Sequence, residues 1–273
     1  MSDSVTTLTA LQERLTESWQ GDRHFQHECF GSGHASLDVY LKGGFQRGQL
    51  HEILADDTED NGSACGFAAM LATRGLQSGK SMLWLRTHGA MHKGGRFHPC
   101  GFAELGGDPA RLFMAVARDE KDLLRCAVDA LRCDSFSVAV IECWGSPAIL
   151  DLTAFRRLTL AANQSGVTAL MLRLDAHQQP STASTRWSVR SAPSTALEAD
   201  APGYPVCDLT LLRQRAGPSG KSWRVEWDRD AQTFREPSPA RQGAVKKPAL
   251  SGAVVSFPTI GQAAARERLK FIA

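Results

Sequence analysis

Gly79-Lys80-Ser81 puts a glycine, a lysine and a hydroxyl side by side, the residue types that hold phosphate in nucleotide-binding loops. Such a loop needs the spacing G-x-x-x-x-G-K-[ST], because backbone N–H groups cradle the phosphates while the Lys and the hydroxyl handle charge and Mg²⁺. The glycine required five positions before Gly79 would be residue 74, which is Arg74, and the chain continues into the strand-like run Ser81 to Leu85. The tripeptide therefore reads as a turn. The segment that stands where a phosphate loop would belong is residues 55 to 66, between the apolar run Leu50 to Leu54 and the helical composition of Phe67 to Arg74. It contains no Lys and four carboxylates, Asp56, Asp57, Glu59 and Asp60, followed by Gly62 and Ser63. Like charges within several ångströms of a triphosphate repel it, so this loop is wrong for ATP in charge as well as in spelling. It reads as a solvated acidic loop at a helix N-terminus, where the helix dipole favours negative charge.

Glu142 ends the run Val138 to Glu142, the strongest strand signal in the chain. It occupies the position at which strand-end acids of nucleotide hydrolases hold Mg²⁺ through water, and it can equally well cap the helix that comes next. Two clusters, His88, His92, His98 and Cys100, and His24, His27 and Cys29, lack the paired ligand spacing of a structural zinc site, so no metal and no cofactor is expected. No catalytic residue is assigned, and the chain is expected to be a pseudo-ATPase without a phosphate-binding lysine.

The elements that must position these residues alternate. Strand signals at Leu50 to Leu54, Ser81 to Leu85, Leu112 to Val116, Val138 to Glu142 and Val167 to Leu174 are separated by helical patterns at Phe67 to Arg74, Asp119 to Cys133 and Asp151 to Gln164. Asp119 is placed to cap the second helix, and Ser165-Gly166 ends the third. Alternation at this interval predicts an α/β fold, with a mostly parallel sheet joined by right-handed crossovers and covered on both faces. The runs Leu209 to Arg215 and Ser222 to Trp227, separated by Gly and Pro, predict an antiparallel hairpin at the end of that sheet.

The 273 residues carry 31 Lys plus Arg against 29 Asp plus Glu, a balance that excludes a strongly basic packaging protein. At 42% hydrophobic the chain is too apolar to be disordered. Charge is unevenly placed, however. Residues 236 to 273 hold Arg241, Lys246, Lys247, Arg266, Arg268 and Lys270 against Glu236 and Glu267, within a Pro-, Ser- and Gly-rich stretch that reads as a flexible basic tail. Arg266, Arg268, Leu269, Lys270, Phe271 and Ile272 at its end suit partner docking, as a short helix with an apolar anchor among cations. At the other end, Val5, Leu8, Leu11, Leu15 and Trp19 predict an amphipathic helix. The organisation expected is thus 1–27, helix and linker; 28–236, α/β domain; 237–273, tail. No apolar run is long enough to span a bilayer, no leader pattern opens the chain, and seven cysteines without a C-x-x-C pair suit reduced, mostly buried thiols, all pointing to the cytoplasm.

One stretch could touch nucleic acid. In residues 177 to 194, Arg186, Trp187 and Arg190 offer two cations and a stacking surface, enough for weak contact with single strands. Trp187 also alternates with Thr185 and Val189, which would turn it to the core of a strand.

From Gly31 onward the sequence resembles the RecA core. Ser36-Leu37-Asp38, Leu41, Gly43-Gly44-Phe45, Gly48 and His51-Glu52-Ile53 fall in that family's order, ahead of a replaced phosphate loop. Leu105-Gly106-Gly107-Asp108-Pro109-Ala110-Arg111-Leu112, Glu142-Cys143-Trp144-Gly145, Arg156-Arg157-Leu158, Thr185 to Val189, Pro193-Ser194 and Leu211 to Trp227 resemble the ImuA family, over about residues 28 to 236. The resemblance implies a RecA-like sheet flanked by helices. It also implies a role in SOS-induced, error-prone translesion DNA synthesis, with nucleoid association during DNA damage. The partners it implies are an ImuB-like Y-family polymerase homologue, an error-prone replicative-type DNA polymerase and RecA. A distant likeness to the division inhibitor SulA, and an active ATP-dependent recombinase, are the alternatives.

Overall fold

The computed structural model describes residues 28–197, 201–215 and 217–237. The expected N-terminal helix and the tail residues Arg266, Arg268, Leu269, Lys270, Phe271 and Ile272 lie outside the described residues.

A short ribbon opens the fold: β1 (Cys29–Phe30) pairs antiparallel with β2 (Phe45–Gln46) around helix α1 (Ala35–Tyr40). The Asp38 carboxylate ties the turn before that helix, accepting from the backbone N–H groups of Ser32 (2.8 Å) and Gly33 (2.9 Å). Gly44, at φ 109°, lies so close to the Phe30 carbonyl that any Cβ would collide with it, which is why this turn needs glycine.

The body runs in the order β3 (Leu50–Ala55), a 3₁₀ turn (Thr58–Asp60), α2 (Asn61–Gly75), β4 (Ser81–Thr87), α3 (His88–Gly94), α4 (Pro99–Glu104) and β5 (Leu112–Ala117). Then come α5 (Glu120–Ala130), β6 (Phe136–Trp144), α6 (Leu152–Ser165), β7 (Thr168–Leu174), β8 (Thr185–Ser191), β9 (Val206–Gln214), β10 (Ser222–Asp228) and β11 (Thr233–Arg235). Nine of the described strands form one sheet in the order β11-β10-β9-β8-β3-β7-β6-β4-β5. From β5 to β8 every pairing is parallel, and from β8 to β11 every pairing is antiparallel. The mostly parallel α/β sheet and its antiparallel end are as the sequence predicts.

Two buried clusters lie on opposite faces of the sheet. One packs α2 with Phe45, Trp84, Trp187, Trp223 and Trp227, and the other packs α5 and α6 with Leu83, Leu85, Ile141 and Met171. Asp119 caps α5 by accepting from the Asp122 N–H (2.8 Å), and Asp151 caps α6 by accepting from the Ala154 N–H (2.7 Å). Gly166 ends α6 in the left-handed conformation.

Several expectations need correction. Helix α2 begins at Asn61, ahead of the Phe67 start that composition suggests, because Asn61 to Gly66 are helical despite two glycines. Between β4 and β5, where no element is predicted, stand two short helices, the second capped by the His98 Nδ1, which accepts from the Gly101 N–H (3.0 Å). Residues 185 to 191 form a central strand. None of the seven cysteines is disulfide-bonded, but only Cys143 and Cys207 are buried, while Cys100, Cys126 and Cys133 are exposed. Among the described residues, no helix is long and apolar enough to cross a membrane.

Candidate functional site

In a parallel sheet with crossover helices, ligands bind beyond the carboxyl ends of the strands. Here that edge holds the connection from β3 to α2, the ends of β7 and β8, and the end of β6. Asp56 accepts from Ser188 Oγ (2.6 Å) and donates its backbone N–H to Val189 O (3.0 Å), which lashes the loop to β8. Asp57 accepts from the Thr58 N–H (2.6 Å), and Thr58 Oγ1 donates to Asp175 Oδ1 (2.9 Å) just after β7. The Asp175 N–H in turn donates to Asn61 Oδ1 (3.1 Å). Asp60 is buried, with its Oδ1 accepting from both the N–H and the Oγ of Ser191 (2.7 Å each).

The loop is therefore acidic, as expected, but not simply solvated. Asp56, Asp57 and Glu59 face water, whereas Asp60 is turned inward and spent on β8. It does not cap α2 through its side chain. Gly62 is exposed with open space around its Cα, and Ser63 is half-buried beside it. Four carboxylates and Asp175 leave no cationic side chain in the loop to meet a phosphate.

Glu142 lies near the end of β6 with only 2% of its surface exposed. Its Oε1 accepts from Arg86 Nη2 (2.8 Å) and from Trp144 Nε1 (2.7 Å), and its Oε2 accepts from Trp84 Nε1 (2.8 Å). Arg86, also buried, is held by the Ala90 and Gly95 carbonyls at 3.0 and 2.9 Å. The carboxylate is thus neutralised and hydrogen-bonded on both oxygens by the protein itself. Neither of the roles expected for Glu142, metal holder or helix cap, describes this arrangement. Cys65 on α2 lies near this pair, and burial first, then the Glu142 charge, pushes its thiol up to about 12.

A second buried acid sits at the centre of the sheet. Glu52 on β3 is fully buried, and its Oε2 accepts from Arg186 Nε (2.7 Å) and Ser181 Oγ (2.7 Å), while Oε1 faces Arg173 Nη1 (3.4 Å). The same guanidiniums reach the segment between β7 and β8. Arg186 donates to Gln179 O, Arg173 approaches Gln179 Oε1 (3.4 Å), and Arg213 on β9 and Arg215 just after it donate to Ser181 O and Thr182 O (2.7 Å each). Four arginines therefore clip residues 179 to 182 down.

This placement overturns the nucleic-acid expectation for two of its three residues. Trp187 is fully buried between Phe45 and Trp223, with ring centroids 5.4 and 5.9 Å away, so no base can stack on it. Its Nε1 donates to Thr185 Oγ1 (2.8 Å). Arg186 points to the opposite face and is consumed by Glu52. Arg190 alone reaches the surface, beside Asp208 (3.6 Å), whose carboxyl is held below the usual range mainly by Arg224. Alternation did signal the burial of Trp187.

Sequence reasoning missed the Glu52 and Arg86 networks. The available signal was an arginine inside each of two apolar runs, Arg86 in SMLWLRT and Arg173 in TALMLRL, which demands a buried acid. It also passed over a second Gly-Lys-Ser, Gly220-Lys221-Ser222, which ends the β9–β10 connection, with Lys221 Nζ over the rings of Tyr40 (4.9 Å) and Trp223 (5.2 Å). Gly79-Lys80-Ser81 is a turn, with the Lys80 N–H donating to Gln77 O (3.2 Å). Among the described residues, no three of His, Cys, Asp and Glu gather in a group that could hold a metal ion.

No family model and no curated protein matches the sequence. Among solved structures the chain is similar to the RadB recombinase, at a TM-score of 0.53 and 16% identity, covering 77% of this chain and 100% of that one. At that identity the likeness is one of fold alone: the chain is built on a RecA-like fold.

Proposed function

We propose that the protein is a non-catalytic RecA-like adaptor in SOS-induced, error-prone translesion DNA synthesis, acting with an ImuB-like Y-family polymerase homologue and an error-prone replicative-type polymerase. The observation that carries the non-catalytic half is Glu142: a strand-end acid whose two oxygens are already taken by Arg86, Trp84 and Trp144 has nothing left with which to hold a metal-bound nucleotide. The acidic loop tied to β8 supports the same reading from the other side of the edge. The adaptor half, with its partners and its setting in DNA damage, rests on the ImuA-like motifs.

The deciding experiment has two arms on one preparation. Calorimetric titration of the full chain with MgATP should give no heat of binding, and the same protein should retain the ImuB-like partner in a co-purification from damaged cells. Saturable MgATP binding at micromolar concentration would replace this reading with that of an active ATPase, and loss of the partner would remove the adaptor role.

A further inference from the structure

The two ends of the nine-stranded sheet are finished differently. At one end β11 is three residues long, carries Arg235 and buries Phe234, so little backbone is left open. At the other end β5 runs for six residues, Leu112–Ala117, with no charge and no proline, and among the described residues only β4 lies beside it in the sheet. Edge strands in natural proteins are normally blunted by charge, proline, a bulge or brevity, because a row of unpaired N–H and C=O groups recruits another strand. β5 has none of these devices. It also exposes Phe113 (54%), Met114 (40%) and Val116 (43%), three of the eight large apolar residues most exposed among the described ones. They are distributed over both faces. Met114 and Val116 are in register with Trp84 and Arg86, while Phe113 is in register with Leu83. An open backbone with apolar side chains above and below it fits an extended, apolar strand.

We propose that this strand is β5 of a second copy, running antiparallel and paired about Ala115, so that the two sheets join into one across a twofold axis. A twofold that sets an edge strand beside itself must be perpendicular to the sheet, so it pairs residues symmetrically about one central residue. Centring on Ala115 sets Phe113 opposite Ala117, large against small, and Met114 opposite Val116. It also sets Arg111, just before the strand, opposite Asp119, just after it. Centring on Met114 instead sets Arg111 against Ala117 and Arg118 against Ala110 and leaves both charges unmatched, where centring on Ala115 leaves one, Arg118 opposite Leu112. Such an interface is self-complementary and closes at two copies, since each copy has one edge of this kind.

The test uses the full chain and two independent readouts. Light scattering at about tens of micromolar should give twice the chain mass, and Met114→Lys, which places a charge on the strand, should give the single-chain mass with an unchanged circular dichroism spectrum. Ala115→Cys should form a 115–115 disulfide on mild oxidation, identified by peptide mapping, because facing residues of an antiparallel pair have Cα atoms about 4.5 to 5.5 Å apart, within disulfide range. A wild-type chain of single mass overturns the proposal, whatever covers the edge in its place. So does a dimer that persists in Met114→Lys, or one that yields no 115–115 link.

Discussion

Glu142 and Arg86 face each other across β6 and β4 at 2.8 Å, both almost wholly out of water; Glu142 accepts on both oxygens, and Arg86 donates through both Nη atoms and leaves its buried Nε without a partner. Removing one member of a buried pair strands the other's charge, a loss on the order of 3–5 kcal/mol. Arg86→Met should therefore lower stability by that order in urea unfolding. The double substitution Arg86→Met with Glu142→Gln should recover part of the loss, since Gln removes the stranded charge and keeps an acceptor for one of the two indole N–H groups. Equal stabilities for the single and double variants would show that the pair is not coupled.

Glu52 governs a different observable. Its carboxylate holds Arg186, Ser181 and, more loosely, Arg173, which together fix the segment between β7 and β8. Glu52→Gln should speed amide exchange and proteolytic cleavage at residues 176 to 184 well before the rest of the domain responds. Cleavage rates unchanged at these residues would mean that Arg213 and Arg215 suffice to hold them.

His51 makes stability depend on acidity. It is fully buried, its Nε2 lies 2.9 Å from Gln46 O and its Nδ1 2.7 Å from Thr185 Oγ1. A carbonyl can only accept, so Nε2 carries the proton and Nδ1 accepts from the threonine. Burial pulls its pKa down to about 4, against an ordinary 6.5. The unfolded chain therefore takes up a proton that the folded one refuses. The stabilisation is whole above pH 6.5 and drains away as pH falls to about 4, by something on the order of 3 kcal/mol. His51→Gln should flatten that part of the pH profile measured by chemical denaturation.

Thiol labelling should divide the cysteines. Cys100, Cys126 and Cys133 are exposed, whereas burial pushes Cys65 and Cys207 up to about 12 and Cys143 to about 11, so that these three stay protonated. A thiol reagent at pH 8 should modify the first three quickly and the last three only on unfolding, as read by mass spectrometry of peptides.

Trp187→Phe should weaken the fold by about 1–3 kcal/mol, through the lost hydrogen bond to Thr185 and lost packing against Phe45 and Trp223, and should leave any affinity for single-stranded DNA unchanged. A fall in that affinity with stability intact would return Trp187 to the surface role that its burial denies.

The parallel body was legible because its determinants are local. Val138 to Ile141 is an unbroken apolar run, Val167 to Leu174 is interrupted only by Thr168 and Arg173, and Asp119, Asp151 and Gly166 punctuate helices in the way capping chemistry requires. The parts that were not legible depend on pairing between distant positions. Nothing near Asp60 announces Ser191, 131 residues away, and nothing near Glu52 announces Arg186, 134 residues away. An acid that looks solvated by composition becomes buried when a distant strand supplies its donors. In residues 185 to 191 alternation marks Thr185, Trp187 and Val189 as one face of a strand, but nothing local shows that Arg186 and Ser188 on the other face bond to Glu52 and Asp56.

The tying of the acidic loop constrains how its sequence can vary. Asp56 and Asp60 are held by Ser188 and Ser191 on β8, and Thr58 is held by Asp175 beyond β7, so at each of these positions the loop answers to a residue elsewhere. Placing a lysine and glycines in residues 56 to 63 would leave Ser188 and Ser191 without acceptors and Asp175 without its donor, and would have to be matched by changes at those distant residues. A loop with this wiring is held in its shape by residues far away in the chain, and the freedom of the sequence to vary lies elsewhere on the surface.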